Sequence, residues 1–225
     1  MLPYDQILSE LRQQSLFREL RTIEEIQGPM VKVGEHRLAN FASNDYLGLS
    51  QHPSVKAAAK AAIDRYGVGS GASRLVTGSQ SPHAKFEKEI AAFKGTESAL
   101  LFSTGYAAAV GTICSLIGPG DVIILDKLCH ACLIDGAKLS GALLRVFPHN
   151  NAAKLKHHLA WARRTLPQGK ILIATESVFS MGGDCGDLAA IISLKNEFRA
   201  LLLVDEAHAT GVIGPQGSAW STRSV

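Results

Sequence analysis

Side chains able to do chemistry recur at one kind of place in this sequence, just after a short apolar run. Asp205, Glu206 and His208 follow the run 200–204. That run is too short for a helix and unbroken by polar residues, so it reads as a fully buried parallel strand, and the three ionisable groups fall where a strand's carboxyl end opens onto a crevice. A solvated loop behind a core strand explains the same residues, and this segment alone does not separate the two. Ser103-Thr104-Gly105-Tyr106 follows the run 99–102 and leads into a helix. Its exposed N–H groups and helix dipole suit a phosphate, with Gly105 allowing close approach; taken alone, the segment is better read as a plain N-cap by Ser103 or Thr104. His130 comes soon after the run 122–125, and Ser180 soon after 171–174. If these strands are parallel, their ends share one edge. Thr104, Gly105, His130, Ser180, Asp205 and His208 then form an anion site, a flat ring-sized neighbour and a buried acid.

Two other patterns carry less. Cys129-His130-Ala131-Cys132 has the spacing of a redox or metal pair, but a zinc site needs a second cluster of ligands and none lies near Cys114 or Cys185, so no metal is expected. Gly67-Val-Gly-Ser-Gly71 resembles a dinucleotide loop, yet a helical pattern precedes it where that fingerprint requires a strand.

The elements that must hold these groups follow from periodicity. Beyond Pro82, helical patterns near 82–94, 105–117, 129–140, 151–166 and 187–199 alternate with the apolar runs 99–102, 122–125, 143–147, 171–174 and 201–204. Such alternation predicts an α/β fold, a mostly parallel sheet with helices on both faces. Ahead of it, Ile7, Leu8, Leu11, Leu16, Leu20 and Ile23 predict one amphipathic helix over the first two dozen residues, 31–33 and 37–42 a hairpin turning at Gly34, and 54–66 an Ala-rich helix ending at Gly67. No element signal appears in residues 217–225.

With 225 residues, 46% hydrophobic and 19% charged, the chain is long enough for one sizeable core, and a net charge of +3 is too small and dispersed for nucleic acid. Asp5 and Glu10 interrupt any signal-peptide core, and four cysteines fit a reducing cytoplasm. The uncharged stretch 99–118 is long enough to span a bilayer, but Ser103-Thr104-Gly105 and Gly118-Pro119-Gly120 break it into strand, turn and buried helix, so no membrane is expected.

The motifs SNDYLGL (43–49), GSGASRLVTGS (69–79), STGYAA (103–108), ESVFSMGGD (176–184) and VDEAHATGVIGPQG (204–217) together resemble the α-oxoamine synthases, pyridoxal-phosphate enzymes of the aspartate-aminotransferase fold. The resemblance runs through almost the whole chain in family order. It implies an N-terminal arm over 1–45 and an incomplete cofactor-binding major domain over 46–225, the C-terminal domain being absent. It implies that Asp205 pairs with the cofactor's pyridine nitrogen, that His130 stacks on the ring, and that Ser180 and His208 bond its phenolic oxygen. The amides of Gly105 and Tyr106, with Thr104, would bind the phosphate. Arg21 and Asn44 would contact substrate, Asn44 across the interface of a homodimer. Within the family the motifs look most like the biotin-pathway member, which condenses L-alanine with a pimeloyl thioester, pimeloyl-CoA or pimeloyl-carrier protein, and releases carbon dioxide. The family's cofactor-bonding lysine belongs a few tens of residues beyond the strand-end aspartate, and this sequence has no lysine after Lys195. The resemblance therefore implies an enzyme fragment inactive by itself or a catalytically silent partner subunit, while a glycine-using relative shares every residue named.

Overall fold

A computed structural model describes residues 4–219, and the chain divides into two compact units between Arg65 and Tyr66. The first begins with helix α1 (Tyr4–Gln13), which carries Asp5 in its first turn and Arg12 in its last, each opposite in sign to the helix dipole there. It is half the predicted length. Ser15 turns left-handed at φ 56, the N–H groups of Leu16 and Phe17 fold back to the Leu11 carbonyl, and Leu16, Leu20 and Ile23 stand exposed beyond the break. Strands β1 (Glu25–Gln27), β2 (Met30–Val33) and β3 (His36–Ala39) form an antiparallel meander, one strand more than the predicted hairpin. Gly28 and Gly34 supply the positive φ at its two turns, a backbone state other residues adopt at a cost. Helix α2 (Pro53–Tyr66) opens with proline, whose missing N–H costs nothing in a first turn, and stops at Gly67 as predicted.

In the second unit, α3 (Ser81–Lys94) and α4 (Gly105–Leu116) precede the alternating elements β4 (Val122–Asp126), α5 (Ala131–Leu139), β5 (Leu143–Phe147), α6 (Ala152–Thr165), β6 (Ile171–Glu176), α7 (Leu188–Glu197) and β7 (Leu201–Asp205). The four strands pair in the order β5-β4-β6-β7, and every pairing is parallel, as the alternation predicts. Strand parity sorts the core into two layers. Val122, Ile124, Ile171 and Ile173 pack with Leu155 and Leu159 of α6 and Leu188 and Ile191 of α7; Ile123, Leu125, Leu172 and Ala174 pack with Ile113 of α4 and Leu133 of α5. Each fully buried aliphatic chain contributes about 1.5–3 kcal/mol from water exclusion. Gly136 lets α5 approach α4, because a Cβ there would meet Ile113 Cδ1 at 2.9 Å and the Val110 Cα at 3.3 Å.

Two expectations need correction. Residues 99–102 are not a strand. Leu101 donates its N–H to Glu87 Oε1 at 2.7 Å and its carbonyl accepts from Arg74 Nη1 at 3.2 Å, so side chains satisfy backbone groups that a neighbouring strand would otherwise pair. Nor is β7 fully buried: among the described residues it pairs on one side only, with β6, and Leu201 is 41% exposed. The stretch without element signal falls largely on 220–225, which lies outside the described residues, as do residues 1–3 of the N-terminal segment.

Among the described residues no helix is long and apolar enough to cross a membrane, and 99–118 resolves into an irregular segment and the twelve-residue α4.

Candidate functional site at the carboxyl edge of the sheet

Parallel pairing brings the carboxyl ends of β4, β6 and β7 to one edge, and the register sets Glu176 beside Asp205. Both lie two residues beyond side chains that pack towards α4 and α5, so both carboxylates face that layer. Glu176 is 2% exposed and accepts the His130 N–H at 2.5 Å. Burial pushes its pKa up and the Asp205 charge adds to the rise, while the backbone N–H groups of His130 and Ser180 pull against it. Glu176 therefore joins three segments: the start of α5, the loop that carries Ser180, and the end of β7. Sequence reading passed over it, because ESVFSMGGD drew attention to Ser180; the signal available was strand parity, which sets Glu176 on the same face as Ala174.

His130 is the N-cap of α5. Its Nδ1 accepts the Cys132 N–H at 3.2 Å and lies 3.0 Å from Cys132 Sγ, so a neutral ring carries its proton on Nε2. The ring itself is exposed. Burial pushes the thiols of Cys129 and Cys132 up in pKa, against thiolate chemistry, and no group of three potential metal ligands occurs among the described residues.

Thr104 is the N-cap of α4. Its Oγ1 accepts the Ala107 N–H at 3.0 Å and its carbonyl the Ala108 N–H at 3.0 Å, leaving the N–H groups of Gly105 and Tyr106 as the open donors of the first turn. A Cβ on Gly105 would meet nothing within 4 Å, so the approach to those donors is clear. The Tyr106 hydroxyl donates to Asp135 Oδ2 at 3.1 Å, which ties the start of α4 to α5 and raises the tyrosine's pKa.

Asp205 ends β7, partly buried, with Oδ1 accepting the Ala207 N–H at 2.9 Å. The segment behind it is held by Lys94 of α3, whose Nζ reaches Glu206 Oε2 at 2.5 Å, Thr210 Oγ1 at 3.0 Å and the Ser218 carbonyl at 3.1 Å. His208 lies partly buried within that segment. Ser180 is exposed in the loop after β6. Arg21 and Asn44 belong to the first unit and are both exposed; Asn44 Oδ1 lies 3.5 Å from the Tyr46 hydroxyl.

The edge thus collects an imidazole at a helix start, a serine and a pair of adjacent carboxylates, and the start of α4, tied to α5 through Tyr106 and Asp135, offers two open amide donors; such donors suit a phosphorylated, nitrogen-containing ring. Comparison with known proteins agrees in kind. The sequence profile of the aminotransferase class I and II family matches residues 37–225. An 8-amino-7-oxononanoate synthase from Geobacter sulfurreducens is 49% identical over 93% of this chain and 53% of its own length. A serine palmitoyltransferase from S. paucimobilis, solved with pyridoxal phosphate joined to myriocin, superposes with a TM-score of 0.87 at 30% identity, over 96% of this chain and 54% of that one. An 8-amino-7-oxononanoate synthase structure from Francisella tularensis superposes at 0.65 with 34% identity, over 80% of this chain and 48% of that one. The chain spans about half the length of the curated relatives it matches.

Proposed function

The chain belongs to the class I and II aminotransferase family, and from that premise we propose that it provides the cofactor-binding part of an 8-amino-7-oxononanoate synthase. Such an enzyme joins L-alanine to a pimeloyl thioester, as pimeloyl-CoA or pimeloyl-carrier protein, with loss of carbon dioxide. The observation that carries the reading is the junction of His130, Glu176 and Asp205 at the carboxyl edge of the sheet, in a chain close to half identical to curated synthases.

The donor set fits pyridoxal 5'-phosphate, which when bound supplies an electron sink for the bond-breaking at the amino acid's α-carbon. The Gly105 and Tyr106 N–H groups would hold the phosphate at the positive end of the α4 dipole. Asp205 would keep a proton on the ring nitrogen. Glu176 lies beside Asp205, its own pKa pushed up by burial and by the Asp205 charge. His130, fixed by its bonds to Glu176 and Cys132, would lie against the ring face, and Ser180 and His208 would donate to its phenolic oxygen. Arg21 and Asn44 remain candidates for substrate contact, in a homodimer. The higher TM-score to serine palmitoyltransferase supports one second reading, a relative that condenses serine or glycine.

Titration of the chain with pyridoxal phosphate, followed by absorbance and tryptophan fluorescence, tests the cofactor site: saturable binding is expected, lost in Asp205→Asn. Mass spectrometry of products from the complete gene product with L-alanine, glycine or serine and pimeloyl-CoA tests the reaction. Product from alanine alone supports the synthase. Product from glycine or serine alone refutes it in favour of the second reading.

A further inference from the structure

Outside the groups assigned above, one cluster of ionisable side chains bridges three strand ends. Asp126, the last residue of β4, is 2% exposed and fully engaged: Oδ1 accepts from the Leu128 N–H at 2.9 Å and meets His149 Nδ1 at 2.9 Å, and Oδ2 accepts the Asn150 N–H at 2.9 Å. His149 follows β5, and its other nitrogen, Nε2, lies 2.6 Å from Asp184 Oδ2 in the loop after β6. Asn150 adds a bond from Nδ2 to the Cys185 carbonyl at 3.0 Å and accepts the Asp187 N–H at 3.2 Å. Phe179 of the same loop packs its ring edgewise on the imidazole, centroids 4.4 Å apart. The loop closes on itself through Phe179 N–H to the Asp184 carbonyl, Gly183 N–H to the Phe179 carbonyl and Gly186 N–H to the Ser177 carbonyl. Ser180 sits in that loop.

We propose that Asp126, His149 and Asp184 form a charged latch that holds the loop 177–187 against the sheet, with His149 the positioning residue that fixes Ser180 at the carboxyl edge. An imidazole bonded to carboxylates through both nitrogens donates twice only as the cation. A neutral ring has one N–H, and its other nitrogen then turns a lone pair on a carboxylate. The buried Asp126 has two further bonds to its oxygens, from the Leu128 and Asn150 N–H groups, so the exposed Asp184 contact is the one that yields. The charged groups that act on the ring are Asp126 from β4 and Asp184 from the loop. Burial of the ring pulls its pKa down, but the bonds to the two carboxylates outweigh this and the net shift is upward from 6.5. A raised histidine pKa extends the doubly bonded, closed state to higher pH than an ordinary imidazole would hold it, and the latch loosens as pH rises through the folded-state value.

The bearing on Ser180's role rests on the proposed cofactor site, so the test keeps the two apart. Hydrogen exchange of the Phe179, Gly183 and Gly186 amides in the full chain reads the latch directly. In Asp184→Asn, a near-isosteric change at a side chain that is 44% exposed, and in His149→Gln, exchange should quicken on the order of tenfold, the scale of a lost charge-assisted hydrogen bond. In the unsubstituted chain, after correction for intrinsic rates, it should quicken as pH rises through the raised histidine pKa, and in His149→Gln it should not. Pyridoxal phosphate affinity should fall severalfold in Asp184→Asn but not when Ser180→Ala is already present. Unchanged loop exchange in Asp184→Asn overturns the latch, and so does an affinity loss of equal size in the Ser180→Ala background, which would put its effect elsewhere. A chain that shows the exchange response yet binds no pyridoxal phosphate supports the latch and refutes the cofactor site.

Discussion

Replacing Lys94 by alanine tests how firmly the segment behind Asp205 is held. Its ammonium makes one charge-assisted bond, to Glu206, and two ordinary ones, to Thr210 and the Ser218 carbonyl, across 112 to 124 residues of chain. The gross value is about 3.5–5 kcal/mol, taking about 1.5–3 for the charged pair and about 1 for each of the others. With the lysine side chain 21% exposed and the glutamate 18%, water weakens the ion pair, and the freed lysine stem regains about 1.5–2 kcal/mol of rotamer entropy. The net loss is about 1–2 kcal/mol. In a unit of this size that lowers Tm by roughly 3–6 °C and raises exchange of the amides in 206–218 about tenfold. Differential scanning fluorimetry gives the first and hydrogen exchange the second. Lys94→Met, which keeps the apolar stem, should reproduce both. If Lys94→Ala leaves exchange in 206–218 unchanged, the segment is positioned by its own turns and the tie is ornamental; if Lys94→Met is silent while Lys94→Ala is not, packing of the stem and not the ammonium does the holding.

Thr104→Ala removes the cap bond to the Ala107 N–H and should cost about 1 kcal/mol, measured by urea unfolding, with Thr104→Ser restoring most of it. Arg74, with help from the Leu101 N–H, holds the Glu87 carboxyl down to about 2 from its ordinary 4.5. A depressed acid stabilises above its unfolded pKa and loses that contribution as protons are added, so thermal stability should fall as pH drops from about 4.5 towards 2. Glu87→Gln should flatten that part of the acid limb; an unchanged slope would show that the ion pair does not fasten residues 99–102.

What the amino-acid order determined by itself was whatever depends on local periodicity and strand parity. Unbroken runs such as 122–125 and 171–174 could only be strands covered on both faces, the helical stretches between them forced a parallel sheet, and parallel ends brought the segments of His130, Ser180 and Asp205 to one edge. The same local logic failed where pairing partners decide. The run 99–102 has strand composition, but a strand exists only beside another strand, and Glu87 and Arg74 take its backbone groups instead. Leu201 has the composition of a buried residue and lies on a one-sided edge strand. The latch and the Glu176 junction were invisible for a related reason. His149 meets Asp184 across 35 residues, Glu176 meets His130 across 46 and Lys94 meets Glu206 across 112. Such contacts leave no period in the sequence, because a polar side chain after a strand looks the same whether it faces water or a partner; only the register of the sheet, which sets those strand ends side by side, distinguishes the two.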